Sequence, residues 1–367
     1  MVVEFVDRSD SNSEKWGGLK SYFGRDDLLA FWVADMDFAT PIGVQEALKK
    51  ELAKRAFGYE KIGDEFYEAI ISWYKERHNT VVKKEWIVPI PSVVSAINIS
   101  AKLWGGAGVL IQPPVYEKFN KAIKLNSVKK VNNPLIKVNE KYEISYPLPK
   151  ASVALFCSPQ NPTGRVWSKE ELEKFAAEAR EQDLIVVSDE IHSDIVYNKT
   201  HHPFINFYDK TVLITAVNKT FNVAKFGGGY AIIPNEELRA QFKGFLESLH
   251  LSLSPTSAQI ATSAYKEAAW VDELVKVLEQ NIEYIDKNLT PKIKRTAPEG
   301  TYLFWLDFSE FGLSDKELRA KMVNEAKLAL NSGTNYGREG HQYMRFNFAT
   351  SLELVKEAVD RLNRVFG

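Results

Sequence analysis

The middle of the chain alternates two periodicities, and this alternation restricts the fold more than any other feature. Short runs rich in Val and Ile recur at Trp86–Ile90, Val109–Gln112, Ser152–Cys157, Leu184–Ser188, Val212–Val217 and Tyr230–Ile233. Amphipathic segments precede and separate them. Thr40-Pro41 opens a helix expected to run to about Ala56, with Val44, Leu48 and Leu52 at four-residue spacing. A second helix, about Asp64 to Arg77, carries Phe66, Ile70, Trp73 and Tyr74. Ser168-Lys-Glu-Glu171 is a capping-box pattern that opens a helix to about Gln182. Apolar strands without clear alternation, separated by helices, imply an α/β fold whose mainly parallel sheet is covered on both faces.

After Pro255 the texture changes. Residues from about Thr256 to Leu289 read as nearly continuous helix, and Asn288–Pro291 marks a boundary. Strand-like Thr301–Leu306 and Tyr343–Phe348, with a helix from Leu352 to Val365, indicate a smaller α+β unit. The first 40 residues show no strong helix and are expected to pack with that unit. The expected division is therefore a large domain, 41–288, and a small domain from 1–40 and 289–367. A chain of 367 residues suits roughly two domains.

Charge and composition remove several function classes. Lys plus Arg is 47 and Asp plus Glu is 48, a net of −1, so no basic excess favours nucleic acid. No run approaches the roughly 20 apolar residues of a membrane helix. The N-terminus lacks the basic and apolar regions of a signal peptide. Cys157 is the single cysteine, so no intrachain disulfide forms and no cysteine-based zinc site is expected. These features suit a soluble cytoplasmic protein without a bound metal, with Cys157 packed in a core strand.

In open α/β sheets, ligands bind beyond the carboxyl ends of the strands. Ser152–Cys157 leads into Ser158-Pro-Gln-Asn161, and Leu184–Ser188 into Asp189-Glu-Ile-His192. Val212–Val217 leads into Asn218-Lys219, and Val109–Gln112 into Pro113-Pro-Val-Tyr116. An amide, a carboxylate, an amine and a phenol thus meet at one sheet edge. Together they suit one chemistry. A lysine amine forms a Schiff base with an aldehyde cofactor, and a carboxylate keeps a pyridine nitrogen protonated. An amide donates to a ring oxygen, and an aromatic side chain stacks on the ring.

Asn161-Pro-Thr-Gly164, Ser188-Asp-Glu-Ile-His192 and Asn218-Lys-Thr-Phe-Asn222, in this order, resemble fold-type I pyridoxal-phosphate enzymes of the class I/II aminotransferase superfamily. Phe31-Trp-Val-Ala-Asp-Met-Asp-Phe38, Phe57-Gly-Tyr59, Gln112-Pro-Pro-Val-Tyr116 and Arg345-Phe-Asn-Phe348 narrow the resemblance to its cystathionine β-lyase-like C–S lyase branch. It spans nearly the whole chain and implies a seven-stranded sheet in the large domain.

The resemblance implies a role for each position. Lys219 would hold pyridoxal 5'-phosphate and shuttle the proton between the α-carbon and the leaving group. Asp189 would bind the pyridine nitrogen, Asn161 the ring oxygen, and Tyr116 would stack on the ring. His192 would lie behind Asp189 or near the ring oxygen. Arg345 would grip the substrate carboxylate as a planar bidentate donor, with Asn161 and the backbone at Ala34 beside it. Tyr59 would reach the site of a neighbouring subunit, which implies a homodimer with shared active sites.

The phosphate loop departs from the family pattern. Ser92 and Val93 stand where a glycine-led turn is usual, although backbone amides at a helix start still bind anions. Ala216 and Asn218 replace small hydroxyl residues, Gly227 replaces an arginine or glutamine, and Lys225 is expected to supply the missing counter-charge. The activity implied is α,β-elimination of L-cystathionine or related cysteine S-conjugates to pyruvate, ammonia and a thiol, within amino-acid metabolism. Aminotransfer, or a catalytically weak regulatory protein on the same fold, are the alternatives.

Overall fold

In a computed structural model, which describes residues 3–367, the Val- and Ile-rich runs assemble into one seven-stranded sheet. Its strands are β1 (Ile87–Ile90), β2 (Val109–Ile111), β3 (Lys130–Asn132), β4 (Val153–Cys157), β5 (Ile185–Asp189), β6 (Thr211–Thr215) and β7 (Gly229–Ile232). They lie in the order β1-β7-β6-β5-β4-β2-β3. Only β7 runs against its neighbours; the other pairings are parallel. Every residue of β4 and β6 is buried, as expected of a sheet covered on both faces. The edge strand β3 was not expected. Lys130-Val-Asn132 has one apolar residue, and an edge position tolerates polar side chains.

The flanking helices follow their apolar spacing. They are α1 (Ile42–Ala53), α2 (Asp64–His78), α3 (Val93–Trp104), α4 (Lys169–Glu181), α5 (Pro255–Ala264), α6 (Ala268–Asn288) and α7 (Leu352–Phe366). Phe66, Ile70, Trp73 and Tyr74 form the buried stripe of α2. Ser168 and Glu171 close a reciprocal capping box on α4.

Two expectations need correction. Pro41 is the cap of α1 rather than its first turn, and the helix ends at Ala53, leaving Leu52 exposed. The long helix expected from Thr256 is two helices, α5 and α6. The break holds Tyr265, whose hydroxyl bonds that of Tyr230 on β7, and Glu267, whose Oε1 accepts the amide of Gly43 at 3.0 Å. These contacts to two other elements fix the interruption.

A second, antiparallel sheet contains β8 (Lys294–Arg295), β9 (Leu303–Asp307), β10 (Asn331–Ser332) and β11 (Tyr343–Asn347), in the order β8-β9-β11-β10. The N-terminal segment joins it. Leu29–Ala30 pairs in parallel with Leu328–Ala329, and Asn347 Nδ2 donates to the carbonyls of Val33 and Asp35. Two short helices, Glu14–Gly17 and Leu19–Phe23, precede that pairing. Lys15 is fully buried and meets Asp37 at 2.7 Å, while Trp16 Nε1 donates to the other Asp37 oxygen at 3.0 Å. Among the described residues, no helix is long and apolar enough to cross a membrane.

Candidate active site

Parallel pairing puts the carboxyl ends of β4, β5 and β6 on one edge, and the loops leaving them meet there. Asp189, the last residue of β5, is in register with Cys157, the last of β4. Lys219 lies four residues beyond β6. Across from them stand Arg345 on β11 and the Trp32–Ala34 segment. Together they enclose a cavity of about 620 Å³. Ala34, Ser92, Val93, Tyr116, Asn161, Asp189, His192, Lys219 and Arg345 all line it, so nine residues from seven separate stretches of sequence converge.

The electrostatics follow from burial. Lys219 Nζ donates to the Ala34 carbonyl at 2.6 Å, and the Tyr302 hydroxyl donates to the same oxygen at 3.2 Å. Burial, assisted by the Arg345 charge, lowers the Lys219 amine below the ordinary lysine value; Asp35, Asp189 and Glu117 oppose it. Asp189 is 3% exposed, accepts the amide of Ile191 at 3.2 Å and makes no ion pair among the described residues. Burial pushes its carboxyl up to about 7 against the pull of that amide and of Lys219. Burial, with the nearby Lys219 and Arg345 charges, holds His192 well below the usual imidazole range. Its ring meets that of Tyr302 edge-on at 5.6 Å.

Arg345 is anchored on both sides. Nη1 donates to Asn161 Oδ1 at 3.1 Å and Nη2 to the Trp32 carbonyl at 2.7 Å, while the guanidinium lies over the Tyr336 ring at 5.2 Å. Its Nε is buried without a partner among the described residues.

These residues fit pyridoxal phosphate. A buried carboxylate without an ion pair among the described residues suits a cationic ring nitrogen, and a half-buried amine of lowered basicity suits an aldehyde. At the other end, Ser92 Oγ accepts the Ser95 amide at 3.0 Å and caps α3. The amides of Val93 and Val94 have no partner within the helix, which is a ready anion site. Asn218 Oδ1 is a buried acceptor without a partner on the same wall.

One residue expected in this cavity lies elsewhere. Lys225 is exposed on the 3₁₀ turn Ala224–Phe226, of which only Ala224 lines the cavity. Gly227 and Gly228, at φ of 62° and 81°, turn the chain back so that the Gly228 amide bonds the Pro91 carbonyl, and Lys225 stays on the outside. Tyr59 is fully exposed and outside its own chain's cavity. Cys157 is buried but borders the cavity, its Sγ accepting the Asn161 amide at 3.4 Å.

Sequence reasoning missed Tyr302, Tyr336 and Asn347. A signal existed for Asn347: it stands two residues after Arg345 on one strand, hence on the same face. Both grip the Trp32–Asp35 backbone.

Residues 26–362 match the family described as aminotransferase class I and II. The chain is 37% identical to cystathionine β-lyase PatB of Bacillus subtilis, with 97% of each chain covered. It superposes on cystalysin from Treponema denticola, which contains a pyridoxal 5'-phosphate cofactor, with a TM-score of 0.91 and 31% identity over 100% of this chain and 99% of that one. A PLP-bound C–S lyase from Staphylococcus hominis gives a TM-score of 0.88 at 29% identity, covering 99% and 97%.

Proposed function

Because the chain belongs to the class I and II aminotransferase family, we propose that it is a pyridoxal 5'-phosphate-dependent carbon–sulfur lyase of the cystathionine β-lyase type. Its substrates are L-cystathionine or related cysteine S-conjugates, which it converts to pyruvate, ammonia and a thiol. One observation carries the reading: a half-buried amine and a buried carboxylate, without an ion pair among the described residues, share a cavity with an anchored guanidinium.

When bound, the cofactor supplies an electron sink for the bonds at the substrate α-carbon. Lys219 Nζ would hold the cofactor and, as a free amine, would take the α-proton and deliver a proton to the departing sulfur. Its lowered basicity keeps more of it in the neutral form that accepts a proton. Asp189 would keep the ring nitrogen protonated, Tyr116 would cover the ring, and Asn161 would donate to the ring oxygen. The amides after Ser92 would receive the phosphate. His192, buried in the cavity wall with its ring edge-on to Tyr302, would stand behind Asp189 or near the ring oxygen. Arg345 pairs with the substrate carboxylate beside Asn161 and Ala34.

Two organisational features belong to this reading. The large unit is 41–288, and both ends of the chain form the small one, supported by the pairing of Leu29–Ala30 with Leu328–Ala329. The chain acts as a cytoplasmic homodimer in which Tyr59, exposed beside Phe57, completes the partner's site.

The test begins with the purified protein. A visible absorbance band that borohydride bleaches, fixing the cofactor on Lys219, is expected. Pyruvate and thiol should then appear from L-cystathionine with no added keto acid. A band with turnover only after keto-acid addition would instead establish aminotransfer, and no band after cofactor addition would leave a regulatory protein.

A further inference from the structure

Behind the cavity, a run of buried polar side chains joins the residue after Asp189 to the residue after Lys219. Glu190 is fully buried; its Oε1 accepts Ser188 Oγ at 2.7 Å and the Phe204 amide at 2.9 Å. Its Oε2 meets His201 Nε2 at 2.8 Å. The His201 ring packs edge-on against His78 at 5.5 Å. His78 Nε2 meets Asp194 Oδ1 at 3.0 Å, and Trp73 Nε1 donates to that oxygen at 2.9 Å. Asp194 Oδ2 accepts the hydroxyl of Thr220, which has no exposed surface, at 2.9 Å. Carboxylates only accept, so each histidine presents a protonated Nε2.

Glu190, His201, His78, Asp194 and Thr220 do not line the cavity. They stand apart from the cavity, yet five buried polar groups, with His201 Nδ1 left unpartnered among the described residues, are an expensive way to fill a core unless the arrangement is needed. Asp194 alone ties three elements: α2 through Trp73 and His78, the loop after β5, and the lysine turn through Thr220. Burial opposes its charge, but the bonds from His78, Trp73 and Thr220 hold its carboxyl below the usual range. On its other side the lysine turn is held by Asn222, whose Nδ2 donates to the carbonyls of Met36 and Phe38 at 2.9 and 2.8 Å.

We propose that this buried chain fixes the Lys219 amine relative to the Asp189 carboxylate, with Asp194 and Thr220 as positioning residues for the lysine turn. The inference rests on the roles given above to Lys219 and Asp189. A misplacement on the order of 1 Å lowers the rate of chemistry by up to about a hundredfold without touching substrate binding.

Thr220→Val keeps the shape and removes the hydroxyl, whereas Thr220→Ser keeps the hydroxyl. Asp194→Asn can accept from Trp73 while donating to Thr220. Measured per cofactor-loaded site, Thr220→Val should lower kcat for cystathionine about tenfold with KM little changed, and Thr220→Ser should restore it. In the cofactor-free protein, acetylation of Lys219 by a succinimidyl ester, read by peptide mass spectrometry, should change rate in Thr220→Val but not in Thr220→Ser. Equal kcat and equal labelling in both variants would overturn the proposal, as would a lower melting temperature with kcat per loaded site intact. The labelling arm needs no turnover. A wild-type protein without lyase activity would therefore sink the functional reading and still decide the positioning one.

Discussion

Lys15 and Asp37 form an ion pair with 0% and 1% of their side chains exposed, and it ties the first helix to the segment that roofs the cavity. Replacing Lys15 by Met keeps the volume and strands a buried carboxylate, a change that typically destabilises by about 3–5 kcal/mol. Asp37 would retain the Trp16 indole at 3.0 Å and Arg8 at 3.6 Å, so the lower end, about 3 kcal/mol, applies. Unfolding entropy of about 2.1 cal/mol/K per residue over 367 residues gives about 0.8 kcal/mol per degree. If the chain melts as one unit, Lys15→Met should therefore lower Tm by about 4 °C. Lys15→Met combined with Asp37→Leu should recover about half of that, because the charge is gone while the Trp16 N–H loses its acceptor. The assay is calorimetry of both variants and wild type, all loaded with cofactor. A single variant that melts with the wild type would refute the reasoning. So would a double variant no more stable than the single one, because the effect would then be packing rather than a stranded charge.

Arg345→Lys removes the planar fork, leaving one point donor where two parallel bonds to a carboxylate are expected. At about 1.5–3 kcal/mol for a charge-assisted bond, kcat/KM for cystathionine should fall roughly 10- to 150-fold, with the visible band unchanged in steady-state spectra. Asp189, with its folded value raised to about 7, favours the fold fully only below its unfolded value; that contribution fades as pH rises through about 7. Asp189→Asn should therefore raise the Tm of the cofactor-free protein more at pH 8 than at pH 5, while weakening cofactor affinity; a gain independent of pH would contradict the buried carboxylate. Mixed dimers of Tyr59→Ala and Lys219→Ala chains should regain pyruvate release that neither parent shows, because one site per dimer is whole. Mixtures that stay inactive would place Tyr59 outside the site.

The large sheet was legible because β4, β5 and β6 are buried on both faces and so carry runs of Val, Leu and Ile that few other environments permit. Edge strand β3 was not, since Lys130 and Asn132 face water and leave a single apolar residue as signal. The site loops were legible because each begins where such a run stops. What local pattern could not convey was tertiary. Nothing around Thr256–Leu289 announces that Tyr265 reaches β7 and Glu267 reaches Gly43, and those distant partners divide the helix. Lys225 misled for the same reason. A cation near the lysine in sequence looked like a phosphate ligand, but the two positive-φ glycines that follow carry it outside. No local pattern marks Asp194, because the partners Trp73 and His78 reach it from α2, far earlier in the chain.

Arg345 commits one N–H to the Trp32 carbonyl and one to Asn161 Oδ1, which leaves three of its five N–H groups, the buried Nε among them, without an acceptor among the described residues. Two protein acceptors therefore set the plane of the guanidinium in advance, and the remaining donors stay unmet. In the role proposed for it, a carboxylate brings those donors charge and two oxygens, about twice the strength of a neutral bond. A carboxamide brings one neutral oxygen. The preference for a free carboxylate then comes from donors held ready, with no group that repels an amide.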